Sequence, residues 1–399
     1  MAAAGIIAEY NPLHLGHCCQ LRRLRALLGE ETPVICAMSG NFVQRGDFAL
    51  LGKHARAEAA VRSGADLVLE IPLSWACAPA ERFAQGGVEV LLGTGLVTDL
   101  VFGSESADAG AIRSATEALL GPDFPEALRR ELAGPHSFAA ARQRALAGLI
   151  GEEGAEVLSR PNDILAVEYA KALSREGSEV HLVPILRQGA GHDQDGGEYP
   201  SAGSIRRMIQ EGRRAEALAA MAPAMRELYE AEEARGRAPV FAAGAERAIL
   251  AQLRRMGEAD FLALDAGGEG LGNRLAAAAR EAASLEEVLD RAKTKRYAYS
   301  RLRRLALWAY LGLRPETLPA RVPYLRPLAM NQRGRALLAE ARRCGALPIL
   351  TKPADVRRLT PEAQAVFRRE VLATDLYTLA FPGDPAPGGA EWREGPRVL

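Results

Sequence analysis

The residues best suited to chemistry in this 399-residue chain stand together near its start, in His14-Leu15-Gly16-His17. Two imidazoles about one helical turn apart can point at the same group, and Gly16 between them has no Cβ to hold a ligand off the backbone. A helix beginning near His14 would offer free N–H groups and a positive dipole end to an anion, usually phosphate. Chemistry at a phosphate needs donors where negative charge builds up in the transition state, and His17 is placed to supply one. A metal pair is the poorer reading, because no local set of Cys, Asp or further His completes a coordination shell. The plain alternative is two surface histidines at a helix start with no role.

The flanking residues indicate what must position this pair. Small and β-branched residues up to Ile7 suit a strand buried on both faces of a parallel sheet, and Asn11-Pro12 breaks it. From Leu15 to Leu28, Leu21, Leu24, Leu27 and Leu28 recur at helical spacing with Arg22, Arg23 and Arg25 between them. Strand patterns at 33–38, 66–71, 99–102 and 180–186 alternate with helical ones at 53–62 and 80–92. The expected class is α/β: a Rossmann-like parallel sheet, followed by a mainly helical C-terminal domain.

Open α/β sheets bind ligands at the carboxyl ends of their strands, where several candidates fall. Gln44 and Arg45 lie in a polar loop after the second strand and could hold a substrate or face solvent. Gly103 would let a backbone pass close to a base or ribose, or serve only as a turn glycine. Asn162 and Asp163 open a helix, where a cap alone is worth about 1 kcal/mol. Arg187 ends a strand and could clamp phosphate, before the Gly-rich run Gln188 to His192. Ser201-Ala202-Gly203-Ser204-Ile205-Arg206 opens a further helix, so that Ser201, Ser204 and Arg206 are candidate phosphate contacts.

The composition is that of an ordinary folded protein: 48% hydrophobic, 25% charged, formal net charge +0. With no global field, any attraction for nucleic acid must come from a local patch. Five cysteines show neither CxxC nor disulfide spacing, and no apolar run is long enough to span a membrane. A cytoplasmic protein with no membrane partner is expected. From about Arg213 the strand patterns stop. We expect a catalytic domain over 1–212, a helical domain over 213–380 and a loosely ordered Pro/Gly-rich tail over 381–399. The run from Arg291 to Arg304, with Lys293, Lys295, Arg296, Tyr297 and Arg301, is strongly basic with interleaved tyrosines. It suits a phosphodiester backbone with stacking partners, or a solvated helix face.

His-x-Gly-His is the signature of the nucleotidyltransferases related to class I aminoacyl-tRNA synthetases, and the 201–206 segment resembles their second phosphate motif. Together with Ala8-Glu9-Tyr10-Asn11-Pro12, the chain carries Met38-Ser39-Gly40-Asn41-Phe42-Val43-Gln44-Arg45-Gly46, Phe102-Gly103-Ser104-Glu105, Pro161-Asn162-Asp163-Ile164-Leu165 and Lys295-Arg296-Tyr297. In that order these motifs resemble the bacterial tRNA(Met) cytidine acetate ligases. The resemblance implies activation of acetate by ATP as acetyl-adenylate, with Mg²⁺ expected alongside the ATP. It also implies acetyl transfer to N4 of the wobble cytidine of elongator methionine tRNA; no DNA partner is expected. Its ATP site would comprise Ile7, Ala8, Glu9, Tyr10, Asn11, Pro12, Leu13, His14, Leu15, Gly16, His17, Cys18, Cys19 and Gln20 with Gly103, Asn162 and Arg187, His14 and His17 being catalytic. Leu13 and Leu15 depart from the family's usual Phe and polar residue, which bears on base packing rather than on phosphate contacts.

Two other readings share this fold. A cofactor adenylyltransferase would leave the helical half and its basic run without a purpose. A catalytically idle RNA-binding protein would have no physical need for an intact His14, Gly16 and His17.

Overall fold

The computed structural model describes residues 2–187, 199–264 and 270–399; the Gly-rich run after Arg187 lies outside these. Its centre is a seven-stranded sheet in the order β7-β6-β1-β2-β5-β8-β9. These strands are β1 (Ala3–Ala8), β2 (Val34–Ser39), β5 (Leu67–Ile71), β6 (Val97–Ser104), β7 (His181–Leu186), β8 (Pro327–Met330) and β9 (Arg397–Val398), while β3 (Phe42–Val43) and β4 (Asp47–Phe48) form a separate hairpin. The first five are parallel, as their near-continuous apolar runs require. Every residue of β2 and β5 is buried.

Helices cover both faces. The helices Ala80–Leu92, Ala109–Leu120 and Pro161–Arg175 build one core, and α1 (Leu15–Leu28), α2 (Lys53–Arg62) and Pro223–Ala234 build the other. The chain leaves β1 towards β2 on one side and returns to β6 on the other. The crevice for a ligand therefore opens at the carboxyl ends of β1 and β6.

From Arg214 the chain is helical as expected, but it is not detached from the sheet. The hairpin places Phe42 and Phe48 inside the core of the helical region, 4.8 Å apart and both against Tyr377. Burial of each such ring is worth roughly 1.5–3 kcal/mol. The Trp308 indole donates to the Cys77 carbonyl at 2.5 Å, and the Tyr377 hydroxyl to Ala49 O at 2.8 Å.

The chain then re-enters the sheet, a return that composition alone did not reveal. β8 pairs antiparallel with β5, and β9 pairs with β8. The tail expected to be loosely ordered is thus tied down, and the reason is electrostatic. Glu391 is buried, its carboxylate 2.6 Å from the Lys53 ammonium and in contact with Arg326; Lys53 also lies 2.5 Å from Glu70. Burial opposes ionisation, yet Lys53 and Arg326 hold the Glu391 carboxyl well below the usual range. Arg326, an arginine that would ordinarily face solvent, is 4% exposed and belongs to this cluster.

Removing one partner of a buried ion pair leaves the other charge uncompensated, at a cost of about 3–5 kcal/mol. Glu391→Ala should lower stability by that amount in urea titrations at neutral pH, and the loss should shrink as pH falls and the parent carboxylate is protonated. A change below about 1 kcal/mol would mean that the tail is not held by this cluster.

Candidate active site

The crevice at the switch point is a cleft of about 1020 Å³ between the sheet and the helical region. His14 is the N-cap of α1 and His17 stands at its third position. His14 Nδ1 accepts from Gly16 N at 3.1 Å, while His17 Nδ1 accepts from His14 N at 3.2 Å. This is a capping box in which both members are imidazoles. The rings lie 3.8 Å apart, tilted by 31°. Because each Nδ1 acts as acceptor, the proton of each neutral ring sits on Nε2, and that nitrogen can only donate. Burial first, then the proximity of the His14 ring and of the Arg187 charge, keeps His17 well below the ordinary imidazole value, so the neutral donor persists at physiological pH.

Gly16 has a reason beyond the one read from sequence. A Cβ there would meet the His14 ring at 2.9 Å, so its absence makes room for the capping imidazole itself. Leu13 and Pro12 are buried beneath the site, and Leu15 and Cys18 do not line the cleft. Ile7, Ala8, Glu9, Tyr10, Asn11, Cys19 and Gln20 do. Tyr10 packs edge-on against His17, with ring centres 5.0 Å apart.

Across the cleft, Asn162 and Arg187 form a second unit. Arg187 donates to Asn162 Oδ1 at 3.0 Å, and Asn162 Nδ2 donates to Glu105 at 2.5 Å. Glu105 also takes the backbone N–H groups of Asn162 and Asp163, and Asp163 returns the favour to Ser104, Glu105 and Ser106. Asn162 is not the helix cap, a position Arg160 takes without a side-chain bond; instead it fixes the arginine. Gly103 leaves space for Arg187, whose Cγ would stand 3.2 Å from an added Cβ. Arg23 of α1 donates to Leu186 O at 2.9 Å and sets this strand end opposite the histidines.

The other candidates divide. Ser201 caps the helix Ala202–Gln210 through Ser204 N and lines the cleft, whereas Ser204 is buried behind it. Arg206 lines the cleft too, bonded to Asn11 at 3.2 Å and Asp47 at 2.7 Å. Gln44 and Arg45 face the cleft from the hairpin.

The basic run is not one helical face. It leaves the helix Leu285–Ala292, crosses a loop and enters the helix Tyr299–Leu311. Tyr297 is buried with Arg301 over its ring at 5.4 Å, so it packs rather than stacks on a ligand. Lys293 donates to Thr294 O and Tyr297 O, closing the loop, while Lys295 and Arg296 are exposed.

Sequence reasoning missed three contributors. Arg303 lines the cleft and lies 4.8 Å above the Tyr299 ring. Glu105 holds Asn162. Arg56 is fully buried and donates to the carbonyls of Glu9, Ser39, Gly40 and Leu51. Only a charged residue on the inner side of α2, against its helical period, could have flagged Arg56.

Electrostatically the cleft favours an anion although the whole chain is neutral. Among the described residues, six arginines line it against four carboxylates. Gly16→Ala should displace the His14 ring and weaken ATP binding by about tenfold or more, about 1.4 kcal/mol, in calorimetric titration, with little change in the unfolding midpoint. Unchanged affinity would exclude the double-histidine cap from nucleotide binding.

A model of the HIGH Nucleotidyl Transferase family matches residues 1–388. The tRNA(Met) cytidine acetate ligase of Fervidobacterium nodosum is 34% identical, covering 96% of this chain and 95% of its own; that of Thermotoga petrophila is 36% identical, covering 94% of each. The crystal structure of apo Thermotoga maritima TmcAL superposes with a TM-score of 0.95, and that of the same protein bound with alpha-thio ATP with 0.94, each 33% identical over 100% of both chains. The chain belongs to the tRNA(Met) cytidine acetate ligase family of HIGH nucleotidyl transferases.

Proposed function

We propose that this protein is an ATP-dependent ligase that activates acetate as acetyl-adenylate and transfers the acetyl group to N4 of the wobble cytidine of elongator methionine tRNA. The observation that carries this is the meeting of the His14–His17 donor pair with the Asn162–Arg187 unit across one anion-favouring cleft. A related protein was crystallised bound with alpha-thio ATP. We assign ATP to the same cleft here.

In the first step an acetate oxygen attacks the α-phosphate in line and pyrophosphate leaves. His17 Nε2–H and the Arg187 guanidinium stabilise charge on the phosphates, and both are held before substrate arrives. No base is needed, because acetate is ionised at neutral pH. Among the described residues no group of three or more His, Cys, Asp or Glu could cage a metal ion. Mg²⁺ would then arrive with ATP and be held chiefly by the triphosphate, its common mode.

The adenylate must next be kept from water while a cytidine enters. A base in an anticodon loop can be splayed out to reach such a cleft. Arg303 at the cleft and the exposed Lys295 and Arg296 are our candidates for the loop phosphates. We assign the protein to the cytoplasm; its five cysteines form no disulfide, and no described helix is long and apolar enough to cross a membrane.

The direct test is incubation with ATP, Mg²⁺, labelled acetate and unmodified elongator methionine tRNA, followed by nucleoside mass analysis. Acetylcytidine should appear only when ATP and acetate are both present; pyrophosphate release without it would mean a different acceptor. Paired Lys295→Ala and Arg296→Ala changes should weaken tRNA binding and reduce the salt slope by about one to two units. An unchanged slope would put the tRNA surface elsewhere.

A further inference from the structure

The transfer step leaves a proton without a destination. As the bond from N4 to the acetyl carbon forms, the bond from that carbon to the AMP phosphate oxygen breaks and AMP leaves with the electron pair. One N4 proton must then pass to an acceptor. The two histidines cannot take it, since each Nδ1 already accepts a hydrogen bond and each Nε2 carries a proton.

Among the described residues, four carboxylates line the cleft: Glu9, Asp47, Glu246 and Glu286. Asp47 is engaged, with Oδ2 2.7 Å from Arg206 and Oδ1 accepting Phe48 N at 2.8 Å. Glu246 accepts Leu285 N at 2.9 Å and holds that helix start. Glu286 is exposed in the first turn of the helix Leu285–Ala292, where a carboxylate is stabilised simply by the dipole.

Glu9 differs from all three. It directly follows β1, within the segment that carries the histidines, and an ionised carboxylate can neither donate to a triphosphate nor sit comfortably beside one. Its presence calls for a partner that donates, as an exocyclic amine does. Oε1 accepts Gln44 N at 2.7 Å, and Arg56 grips the Glu9 carbonyl, so the side chain is aimed from both ends. Among the described residues its carboxylate takes no other hydrogen bond.

We propose that Glu9 is the proton acceptor of the transfer step, taking one proton from the cytidine N4 and returning it to water; this rests on the ligase reading above. Burial raises its carboxyl above the ordinary range, against the pull of the Gln44 N–H and of Arg45, Arg56 and Arg206. A carboxylate nearer neutrality is the better general base while still ionised.

The test compares the parent with Glu9→Gln and Glu9→Asp, measuring acetate-dependent ATP–pyrophosphate exchange and single-turnover acetylcytidine formation from about pH 5 to about pH 9. Glu9→Gln keeps an acceptor for Gln44 N but removes the base. It should slow transfer by about 10²- to 10⁴-fold and abolish the acidic limb of the transfer profile, while exchange falls far less. Glu9→Asp should retain that limb. Equal loss of both half-reactions, a retained acidic limb in Glu9→Gln, or a raised Mg²⁺ requirement for exchange would each overturn the assignment. Absence of exchange in the parent would instead refute the ligase reading itself.

Discussion

The architecture of the cleft depends on one buried guanidinium. Arg56 sits beneath the carboxyl edge of the sheet and donates to four carbonyls from three separate segments, Glu9 after β1, Ser39 and Gly40 at the end of β2, and Leu51 beyond the hairpin. No carboxylate side chain bonds to it among the described residues; the carbonyl dipoles hold the guanidinium directly while Glu9 and Glu70 act on it from a distance, and burial lowers its pKa to about 10. A neutral side chain there would leave those carbonyls unsatisfied, at a cost of about 1–3 kcal/mol each. The turn from Glu9 to Pro12 is therefore fixed before any ligand binds, and with it the entry of α1.

From that fixed turn the electrostatic logic of the cleft follows. Imidazoles that cap one another are locked as neutral donors, and an arginine held by Asn162 supplies the formal charge. Such a site needs little reorganisation when charge develops on phosphate, which is what preorganised stabilisation requires. The second charge cluster, around Lys53, Glu70, Arg326 and Glu391, serves the fold. It joins α2 and β5 to the returning C-terminal strands, so that the helical region is clamped at both of its ends.

Much of this was legible in the sequence where periodicity and strand-end chemistry act locally. The five parallel strands and α1 followed from short windows, as did the positions of Gly103 and Arg187 at strand ends and of Asn162 at a helix start. What escaped was long-range. Pro327 to Met330 is too short a run to read as a strand, and only pairing with β5 makes it one. Glu391 looks like a solvated tail residue until its distant partners are known. Gly16 was recognised, but the room it leaves for the facing His14 ring was not. Tyr297 shows the reverse error, an aromatic in a basic run whose ring is spent on packing.

The central claim is that the nucleotide phosphates lie between the α1 N-terminus and Arg187. It is tested most directly by a crystal structure of this chain with a non-hydrolysable ATP analogue. The expected result is a phosphate oxygen within about 2.7–3.2 Å of His17 Nε2 and another on the Arg187 guanidinium. Phosphates seated on Arg45 and Arg303, with His17 and Arg187 untouched, would contradict it.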